Sequence, residues 1–531
     1  MDCDTVVIGS GIGGLTAALA LARAGQRVRV LEQHYLPGGW THSFTLEGHT
    51  FSPGVHYLGE LEEGANLRRF FEGLGVGRHL SFRELAPDGY DHLLVAGERY
   101  DVPKGREQHE ERMKRRFPRD AAGIDRYFKT CRRIAEELER AGDLLSVPAL
   151  VRAPFRLPTL SRWGFARLDS LFDACGIDDP MARAFLSARC GNHGLPPKDV
   201  SLPAHAVMIQ HYMNGAYYPV GGARRIPAAF LKELRARGGT IELRTRVSEI
   251  LVERGRAVGV KLGGGEIIRS KHVVSNADAA LTYETLLPSH GRFQRMRARR
   301  MRPSVSAISL FAATDMDLSA YDSGNYWWYR HADVAGVYER MERQLPGREL
   351  EGLFVSVSSL KDPRPRGDHT LEMFTFVPHS AFSEWRGSTT GMRDASYEAL
   401  KHGLMGKMLR AADQVIPGLS KRLTFAELGT PLTNDFYCAS WRGACYGIAK
   451  TPWQVGPFAF STRAPVDELY LCGASTVSHG VAGAGISGLF AAAAVLGVRD
   501  AGELLDAPDG SLRILPPHQP EARALASTGT G

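Results

Sequence analysis

The sequence predicts an α/β protein built around a parallel β-sheet, and three segments near the amino terminus predict this class. Thr5–Ile8 is a short run of mostly β-branched residues, as in a buried parallel strand. Leu15–Ala24 is an apolar run with the pattern of a buried helix. Arg27–Leu31 is the next strand. A strand, a helix and a second strand in this order make a βαβ unit, which belongs to a parallel sheet.

Glycine residues fill the turn between the first strand and the helix. Gly9, Gly11 and Gly14 have the spacing G-x-G-x-x-G, and Gly13 adds a further glycine. The first of the three allows a tight turn, the second lets backbone approach a diphosphate, and the third lets the helix lie close to the sheet. The amides at the start of the helix then face the phosphates. Glu32 directly follows the second strand, where an acid binds ribose hydroxyls, so the block predicts a dinucleotide site.

The residues after Glu32 distinguish between the two common dinucleotides. Gly38 and Gly39 come just after the ribose acid. Such a pair resembles flavoproteins of the amine-oxidase and phytoene-desaturase type, in which it runs beside the FAD diphosphate, whereas an NAD enzyme needs no such extension. We therefore predict FAD as the cofactor. The further residues predicted to bind it in this segment are Gln33, Thr41 and His42.

The dinucleotide-binding half resumes after a long insertion, near residue 216. Ile226–Arg237 is predicted to be a helix, and a series of β-rich runs follows it. This part resembles the returning piece of a two-piece FAD domain, in which the backbone around Val247 contacts adenine. The β-rich runs are Thr240–Arg244, Val247–Glu253, Ala257–Leu262, Glu266–Arg269 and Lys271–Ser275.

A glycine-rich helix near the carboxyl terminus follows a strand at Glu468–Gly473. Its Gly483, Gly485 and Gly488 also spell G-x-G-x-x-G, which taken alone indicates a second nucleotide site. We reject that interpretation because ten residues separate the strand from the first glycine, and no strand with a terminal acid follows. We predict instead that the start of this helix points at the flavin ring and stabilises negative charge on reduced FAD. The predicted FAD contacts in this region are Gly473, Ala474, Gly483 and Ala484.

Two insertions separate the pieces of the dinucleotide-binding half. The first is mostly helical in pattern, and the second mixes β-rich runs with helical ones. The predicted fold is therefore a two-piece, Rossmann-type α/β FAD-binding domain with an α+β substrate domain and a helical cap. The predicted boundaries are residues 1–66, 216–300 and 461–506 for the FAD-binding domain, 67–215 for the cap, 301–460 for the substrate-binding domain and 507–531 for a disordered tail.

The composition of the 531 residues excludes several function classes. Hydrophobic residues make up 44% and charged residues 23%, as in ordinary globular proteins, and we predict no transmembrane span. The net charge of +7 comes with no nucleic-acid-binding motif, so an anionic membrane surface is the better partner. The seven cysteines are scattered and form no C-x-x-C, which predicts free thiols in a reducing compartment and neither disulfides nor a metal site.

One stretch of the predicted cap has the composition of a monotopic membrane contact. Leu144–Leu168 is apolar, is broken by prolines and carries four arginines but no acidic residue. Phe155, Trp163 and Phe165 lie between the arginines, as aromatic anchors do at a membrane surface. The alternative is a cap helix and loop that pack on the protein itself. No secretory leader precedes the first strand, so we expect a cytoplasmic protein bound peripherally to membranes.

Segments along nearly the whole chain resemble the phytoene desaturase and carotenoid isomerase flavoproteins and, within them, the retinol saturases. Several of these segments are distinctive for that family. They include Pro37–Gly39, His42, Gly54–Gly59 with Glu62–Gly64, Gly215–Gly222, Val273–Ala277, Lys361–Pro363, Pro431–Asn434, Arg442–Gly447 and Leu469–Leu471.

The resemblance implies an FAD-dependent enzyme that saturates one double bond of a conjugated, hydrophobic polyene lipid. The hydride would come from N5 of reduced FAD and a proton would reach the other carbon, while the external electron donor stays open. Desaturation and cis-trans isomerisation on the same scaffold are the alternatives within the family, and an amine oxidase is a further option. A prenyl-lipid escort protein without redox chemistry is the non-enzyme alternative, and the intact set of glycines and acid argues against it.

Three side chains are candidates for the proton donor. His56 and Tyr57 lie in the segment that follows the amino-terminal FAD block, and Tyr446 lies in a glycine-flanked loop ahead of the last strand. Imidazole and phenol groups serve as proton donors in many enzymes. The alternative is that His56 only shapes the flavin site and that the tyrosine packs with its hydroxyl satisfied.

Overall fold

Two seven-stranded sheets form the framework of the chain in a computed structural model that describes residues 1–141, 156–344, 347–362, 367–507 and 511–518. A three-stranded sheet and a two-stranded hairpin complete the β-structure of these residues. The predicted membrane contact falls partly outside the described residues: positions 144–155 are not among them, and positions 156–168 are.

The first sheet is the predicted parallel sheet. Its strands are β1 (Cys3–Ile8), β2 (Val28–Leu31), β9 (Thr240–Glu242), β10 (Val247–Glu253), β11 (Arg256–Leu262), β12 (Ile267–Ser275) and β18 (Leu469–Leu471). β1 pairs in parallel with β2 and β12, and β9 and β18 extend the parallel part at its two ends. β10 and β11 form an antiparallel extension on the first half of β12. The α/β prediction is confirmed.

β12 corrects one detail of the predicted strands. The sequence predicts two runs, Glu266–Arg269 and Lys271–Ser275, but the structure has one strand from Ile267 to Ser275. The strand is continuous because its first residues pair with β11 and its last residues pair with β1. A single long strand therefore connects the antiparallel extension to the centre of the parallel sheet.

Five of the seven strands of the second sheet come from the predicted substrate-binding domain, residues 301–460. Its strands are β6 (Asp91–Val95), β7 (Glu98–Val102), β13 (Ser306–Thr314), β14 (Asn325–Tyr329), β15 (Gly352–Val357), β16 (His369–Val377) and β17 (Leu423–Gly429). All its pairings are antiparallel except that of β14 with β6. β6 and β7 come from the segment whose pattern is mostly helical, so that segment contributes strands to this sheet as well as a helical cap.

Helices cover both sheets. Those that contribute to the hydrophobic cores around the first sheet are α1 (Ile12–Arg23), α2 (Asn66–Gly73), α9 (Arg225–Ala236), α10 (Ala279–Leu281), α11 (Arg292–Arg300) and α16 (Gly480–Leu496). The cap contains α3 (Arg106–Arg116), α4 (Ala121–Ala141), α5 (Pro158–Trp163), α6 (Leu168–Cys175), α7 (Pro180–Ser187) and α8 (Leu202–His211). The remaining helices are α12 (Val334–Gln344), α13 (Ser358–Lys361), α14 (Ala395–Ala412) and α15 (Pro431–Cys438).

Part of the tail is ordered, which differs from the prediction. In the three-stranded sheet, β5 (Ser81–Glu84) pairs with β8 (Tyr217–Pro219) and, in parallel, with β19 (Arg513–Leu515). Leu512, just before β19, is buried in the core around the first sheet. Burial of this apolar side chain and pairing with β5 offset the entropy cost of ordering these residues. The two-stranded hairpin is β3 (Phe44–Leu46) with β4 (His49–Phe51).

Among the helices of the described residues, none combines the length and the apolar character that crossing a bilayer requires.

Candidate active site

The glycine turn joins β1 to α1. Gly9 has a φ of 89°, a left-handed conformation that costs glycine little. A Cβ atom on Gly14 would overlap the carbonyl oxygen of Gly9, so the turn requires glycine there. α1 begins at Ile12, and its N-cap residue Gly11 offers no side-chain cap. The first amides of α1 therefore keep donor capacity for an anionic ligand.

Glu32 is buried at the end of β2 and is held by Ser10. Its Oε2 accepts hydrogen bonds from the backbone N–H and the hydroxyl of Ser10, at 2.8 and 2.6 Å. Its Oε1 accepts from the N–H of His34 at 2.8 Å. Because a carboxylate has about four lone-pair sites, Glu32 keeps acceptor capacity for ribose hydroxyls. Ser10 is not among the residues predicted from the sequence, although its place between two motif glycines is a signal for it.

The Gly38-Gly39 loop lies against the glycine turn. The N–H of Gly38 donates to Oγ of Ser10 at 3.0 Å, and Thr41 Oγ1 donates to the carbonyl oxygen of Gly38 at 2.7 Å. A Cβ atom on Gly39 would lie 3.2 Å from the Cα atom of Gly11. The two backbones therefore approach closely because both positions lack a side chain.

Asn276 joins the two ends of the chain at this turn. It follows β12, and its N–H donates to the carbonyl oxygen of Ile8 at 2.9 Å. A Cβ atom on Gly13 would lie 2.6 Å from Asn276 Oδ1 and 2.8 Å from the carbonyl oxygen of Ala484 in α16. The amino-terminal glycine turn and the carboxyl-terminal glycine helix thus meet at Gly13. Asn276 is not among the site residues predicted from the sequence, although it stands at the carboxyl end of a buried parallel strand.

One cavity of about 2010 Å³ connects the glycine turn to the second sheet. The structure brings the predicted site residues together around it, except Gly14, which packs inside the turn. The predicted residues that line it are Gly9, Gly11, Gly13, Glu32, Gln33, Gly38, Gly39, Thr41, His42, Val247, Gly473, Ala474, Gly483 and Ala484 of the cofactor set, and His56, Tyr57 and Tyr446 of the catalytic set.

The glycine-lined end of this cavity fits FAD. The amides at the start of α1 suit a diphosphate, and the Glu32 carboxylate suits a ribose. At α16 the N-cap residue is His479, which makes no capping hydrogen bond from its side chain. The first turn of α16 lines the cavity, so its partial positive charge is available to a reduced, anionic flavin ring.

Tyr57 lies at the other end of the cavity, and its hydroxyl bonds to buried residues. Its oxygen accepts a hydrogen bond from Asn192 Nδ2 at 2.9 Å, and its hydroxyl donates to Asp91 Oδ2 at 3.3 Å. Asp91 is fully buried and accepts from Trp327 Nε1 at 3.2 Å. Burial raises the pKa of Asp91 to about 6, against the opposing effect of the Arg189 cation. The Tyr57 hydroxyl also lies 3.3 Å from Oδ1 of Asn192, so its proton is directed at Asp91 or Asn192 rather than into the cavity.

Tyr446 and His479 are held by the same short turn, Ala188–Asn192. The hydroxyl of Tyr446 donates to the carbonyl oxygen of Gly191 at 3.1 Å, and His479 Nε2 lies 2.8 Å from the carbonyl oxygen of Asn192. Because a carbonyl oxygen only accepts, Nε2 of His479 carries the proton. The two rings lie 4.8 Å apart. His479 is not among the residues predicted from the sequence, although it directly precedes the glycine-rich helix.

His56 differs from the two tyrosines in its hydrogen bonding. Its Nδ1 is buried and has no hydrogen-bond partner among the described residues, and its ring lies 5.2 Å from Phe354 and 5.6 Å from Phe374. Burial, with the Lys361 cation, lowers the pKa of His56 to about 3, so its imidazole is neutral near pH 7. Nζ of the fully buried Lys361 donates to the carbonyl oxygen of His56 at 2.9 Å.

Cys190, His193 and His205 form a buried cluster behind this end of the cavity. His193 Nε2 lies 3.3 Å from His205 Nδ1, and His205 Nε2 lies 2.8 Å from the Tyr127 hydroxyl. A chain of hydrogen bonds accounts for these contacts without a metal ion. The absence of a bound metal stays a prediction.

Comparison with known proteins identifies relatives of the chain. The family model described as flavin containing amine oxidoreductase matches residues 12–496. The chain is 31% identical to the all-trans-retinol 13,14-reductase of Macaca fascicularis, over 93% of this chain and 85% of that protein. It is 29% identical to the neurosporene-forming phytoene desaturase of Cereibacter sphaeroides, over 93% of this chain and 94% of that protein.

A solved structure supports the fold. A crystal structure of an oxidoreductase from Methanosarcina mazei superposes with a TM-score of 0.61 at 18% identity, covering 92% of this chain and 99% of that one.

Proposed function

The chain belongs to the flavin containing amine oxidoreductase family, and on that premise we propose that this FAD-dependent oxidoreductase saturates one C=C bond of a conjugated isoprenoid lipid. The observation that carries the proposal is the continuous cavity that runs from the glycine turn to a wall of phenylalanines on the second sheet. Two relatives are named for reactions of retinol and phytoene, which are both isoprenoid polyenes.

The size and lining of the cavity suit a cofactor together with an elongated apolar substrate. Its volume of about 2010 Å³ is twice the upper end of the range for a single small-molecule pocket, roughly 1,000 Å³. Phe354, Phe374 and Phe376 line the end that lies away from Glu32. Their rings pack on one another, so this wall is apolar and stiff. An apolar, dry wall excludes the water that would compete with a hydride transfer.

The side chains around the substrate end divide into two kinds by their hydrogen bonds. Bound and reduced FAD supplies the hydride equivalent. Tyr446 donates its proton to the carbonyl oxygen of Gly191, and Tyr57 donates to Asp91 or Asn192, so both hydroxyls point into the protein and position the cavity wall. His56 and His479 each have a buried Nδ1 without a partner among the described residues, but the proton of His479 lies on Nε2, which donates it to the carbonyl oxygen of Asn192. We therefore assign to His56 the proton that completes the saturation. A carbanion-like carbon is basic enough to take that proton from a neutral imidazole, so access to the carbon matters more than acidity.

The substrate is taken up from a membrane surface. Phe165 and Trp453 are 59% and 66% exposed, and their rings stack 5.4 Å apart. Arg162 and Arg167, on either side of Phe165 in the chain, are exposed as well. Exposed aromatic rings beside arginines suit the interface of an anionic bilayer.

An anaerobic single-turnover experiment tests the proposal. The holoenzyme is reduced with dithionite and mixed with all-trans-retinol as the probe polyene. We expect the flavin to reoxidise while the polyene absorption moves to shorter wavelength and the lipid gains the mass of two hydrogen atoms. A product of unchanged mass would indicate an isomerase instead. If the polyene instead loses two hydrogen atoms when it is mixed with the oxidised enzyme, the protein is a desaturase.

A further inference from the structure

Exposed apolar side chains in the cavity wall mark two places where the cavity reaches the surface of the described part of the chain. One opening lies beside the ribose-binding end, where Tyr35 and Phe436 are exposed. The other lies at the cap, where Val207 of α8, Val477, and Phe490 of α16 are 44%, 39% and 42% exposed. We call the second the α8–α16 opening.

The α8–α16 opening has one polar side and one apolar side. Arg69 of α2 and Glu139 of α4 are exposed charged residues that also line the cavity, so they mark its polar rim. Asn66 Nδ2 donates to Glu139 Oε1 at 2.8 Å, which ties α2 to α4 across this rim. Val207 and Phe490 form the apolar rim, which an apolar ligand can contact as it leaves water or lipid.

Because they lie at different ends of the cavity, the two openings suit different ligands. The first adjoins Glu32 and therefore the adenosine half of a bound FAD. The second adjoins the proposed reaction end, because Met208, the neighbour of Val207 in α8, lies beside Asn192, and Asn192 bonds to Tyr57. A lipid that enters through the second opening meets the reaction end without passing the cofactor's polar half.

We propose that the polyene enters through the α8–α16 opening and that Val207 determines the width of this entrance. The inference rests on the proposed function, because it assumes a long apolar substrate. α8 also begins next to the exposed aromatic pair, since the N–H of Leu202 donates to the carbonyl oxygen of Ala166, which follows Phe165 in the chain. The entrance thus lies on the helix that starts at the proposed membrane contact.

Substitution of Val207 by a large side chain tests the entrance. In the reduced Val207→Trp holoenzyme we expect all-trans-retinol to reoxidise the flavin at least tenfold more slowly than in wild type. The rate at which dioxygen reoxidises the flavin, and the FAD content, should change less than twofold. Ile267→Trp is the matched control, because Ile267 is as exposed as Val207 but lies on β12 outside the cavity. We expect it to match the wild type. A second route uses Val207→Cys, folded and then modified with a bulky maleimide, with wild type treated in the same way.

The outcomes separate the two proposals. If wild type is not reoxidised by any polyene, the proposed function fails. If wild type reacts with the polyene, and both Val207→Trp and the maleimide adduct react as fast as wild type, the proposed entrance is wrong and the proposed function stands. If Phe436→Trp slows the polyene reaction and Val207→Trp does not, the polyene enters at the ribose end and the inference is overturned.

Discussion

Gly488 of α16 packs directly on the carbonyl oxygen of Gly13 in α1, so closely that a Cβ atom at position 488 would overlap that oxygen. The same Cβ would lie 3.0 Å from the Cβ atom of Thr16. The contact joins residues at opposite ends of the chain and sets the distance between two helices whose N-terminal turns line the FAD end of the cavity.

We predict that Gly488→Ala lowers the free energy of unfolding by about 1–3 kcal/mol, because the added methyl overpacks the α1–α16 contact. Denaturant unfolding of the apoprotein measures this change. Gly403→Ala is the control, because Gly403 lies within α14 with no heavy atom near its absent Cβ, and alanine there favours the helix. Equal stability of the two variants would contradict the tight contact.

We predict that Glu32→Ala weakens FAD binding by about 10–100-fold, because hydrogen bonds to a charged group contribute about 1.5–3 kcal/mol. The substitution removes the ribose acceptor and leaves the N–H and hydroxyl of Ser10 without their carboxylate. Quenching of flavin fluorescence on the apoprotein measures the affinity. Glu242→Ala, which breaks a partly exposed pair with Arg29, should bind FAD as wild type does. An unchanged affinity in Glu32→Ala would remove this acid from the site.

We predict that His56→Phe slows reoxidation of reduced flavin by a polyene about 100-fold while FAD stays bound, because a positioned proton donor contributes about 10²–10⁴-fold. Anaerobic stopped-flow absorbance measures the step. An unchanged rate would exclude His56 as the donor.

Tyr446→Phe should slow the same step less than His56→Phe does. The phenol donates to the Gly191 carbonyl, so its loss disturbs the position of the wall and leaves the proposed donor in place. A larger loss in Tyr446→Phe would reverse the two assignments.

Stability should depend on pH through His205, which lies between Tyr127 and His193. Burial, with the Arg189 cation, lowers its pKa from 6.5 to about 3. Between these values the unfolded chain binds a proton that the folded protein does not, so the free energy of unfolding falls as the pH falls. Relative to His205→Gln, wild type should lose about 1–2 kcal/mol between pH 6.5 and pH 5. Parallel pH curves from denaturant titrations would contradict a buried neutral imidazole.

Replacing Phe165 and Trp453 together by serine should reduce binding to anionic vesicles about tenfold or more, because each exposed ring inserts apolar area into the interface. Flotation with phosphatidylserine vesicles measures this binding. Ile267→Ser is the control, since Ile267 is 47% exposed and lies on β12, in the antiparallel extension of the first sheet. Equal flotation of all three proteins would contradict this membrane contact.

Local sequence determined the cofactor end of the molecule. The βαβ block with its glycines and Glu32 predicts the parallel sheet, and Gly38-Gly39 indicates FAD; the structure confirms the sheet, and the family match confirms the cofactor. These features are readable because a diphosphate needs backbone amides and close backbone approach, which only glycine at fixed spacing supplies. The residues that contact this block are harder to predict from the sequence. Asn276 is an example, because it reaches the glycine turn only when β12 pairs with β1.

The substrate end was decided by the tertiary structure. Their place in the chain predicts His56 and Tyr57 as site residues, but their different environments come from Lys361, Asp91 and Asn192, which long-range strand pairing and packing bring to them. The same holds for the α8–α16 opening, whose rim combines residues from four helices far apart in sequence. Short-range chemistry is encoded by neighbouring residues, whereas the burial and partners of a side chain depend on which distant segments the fold packs against it.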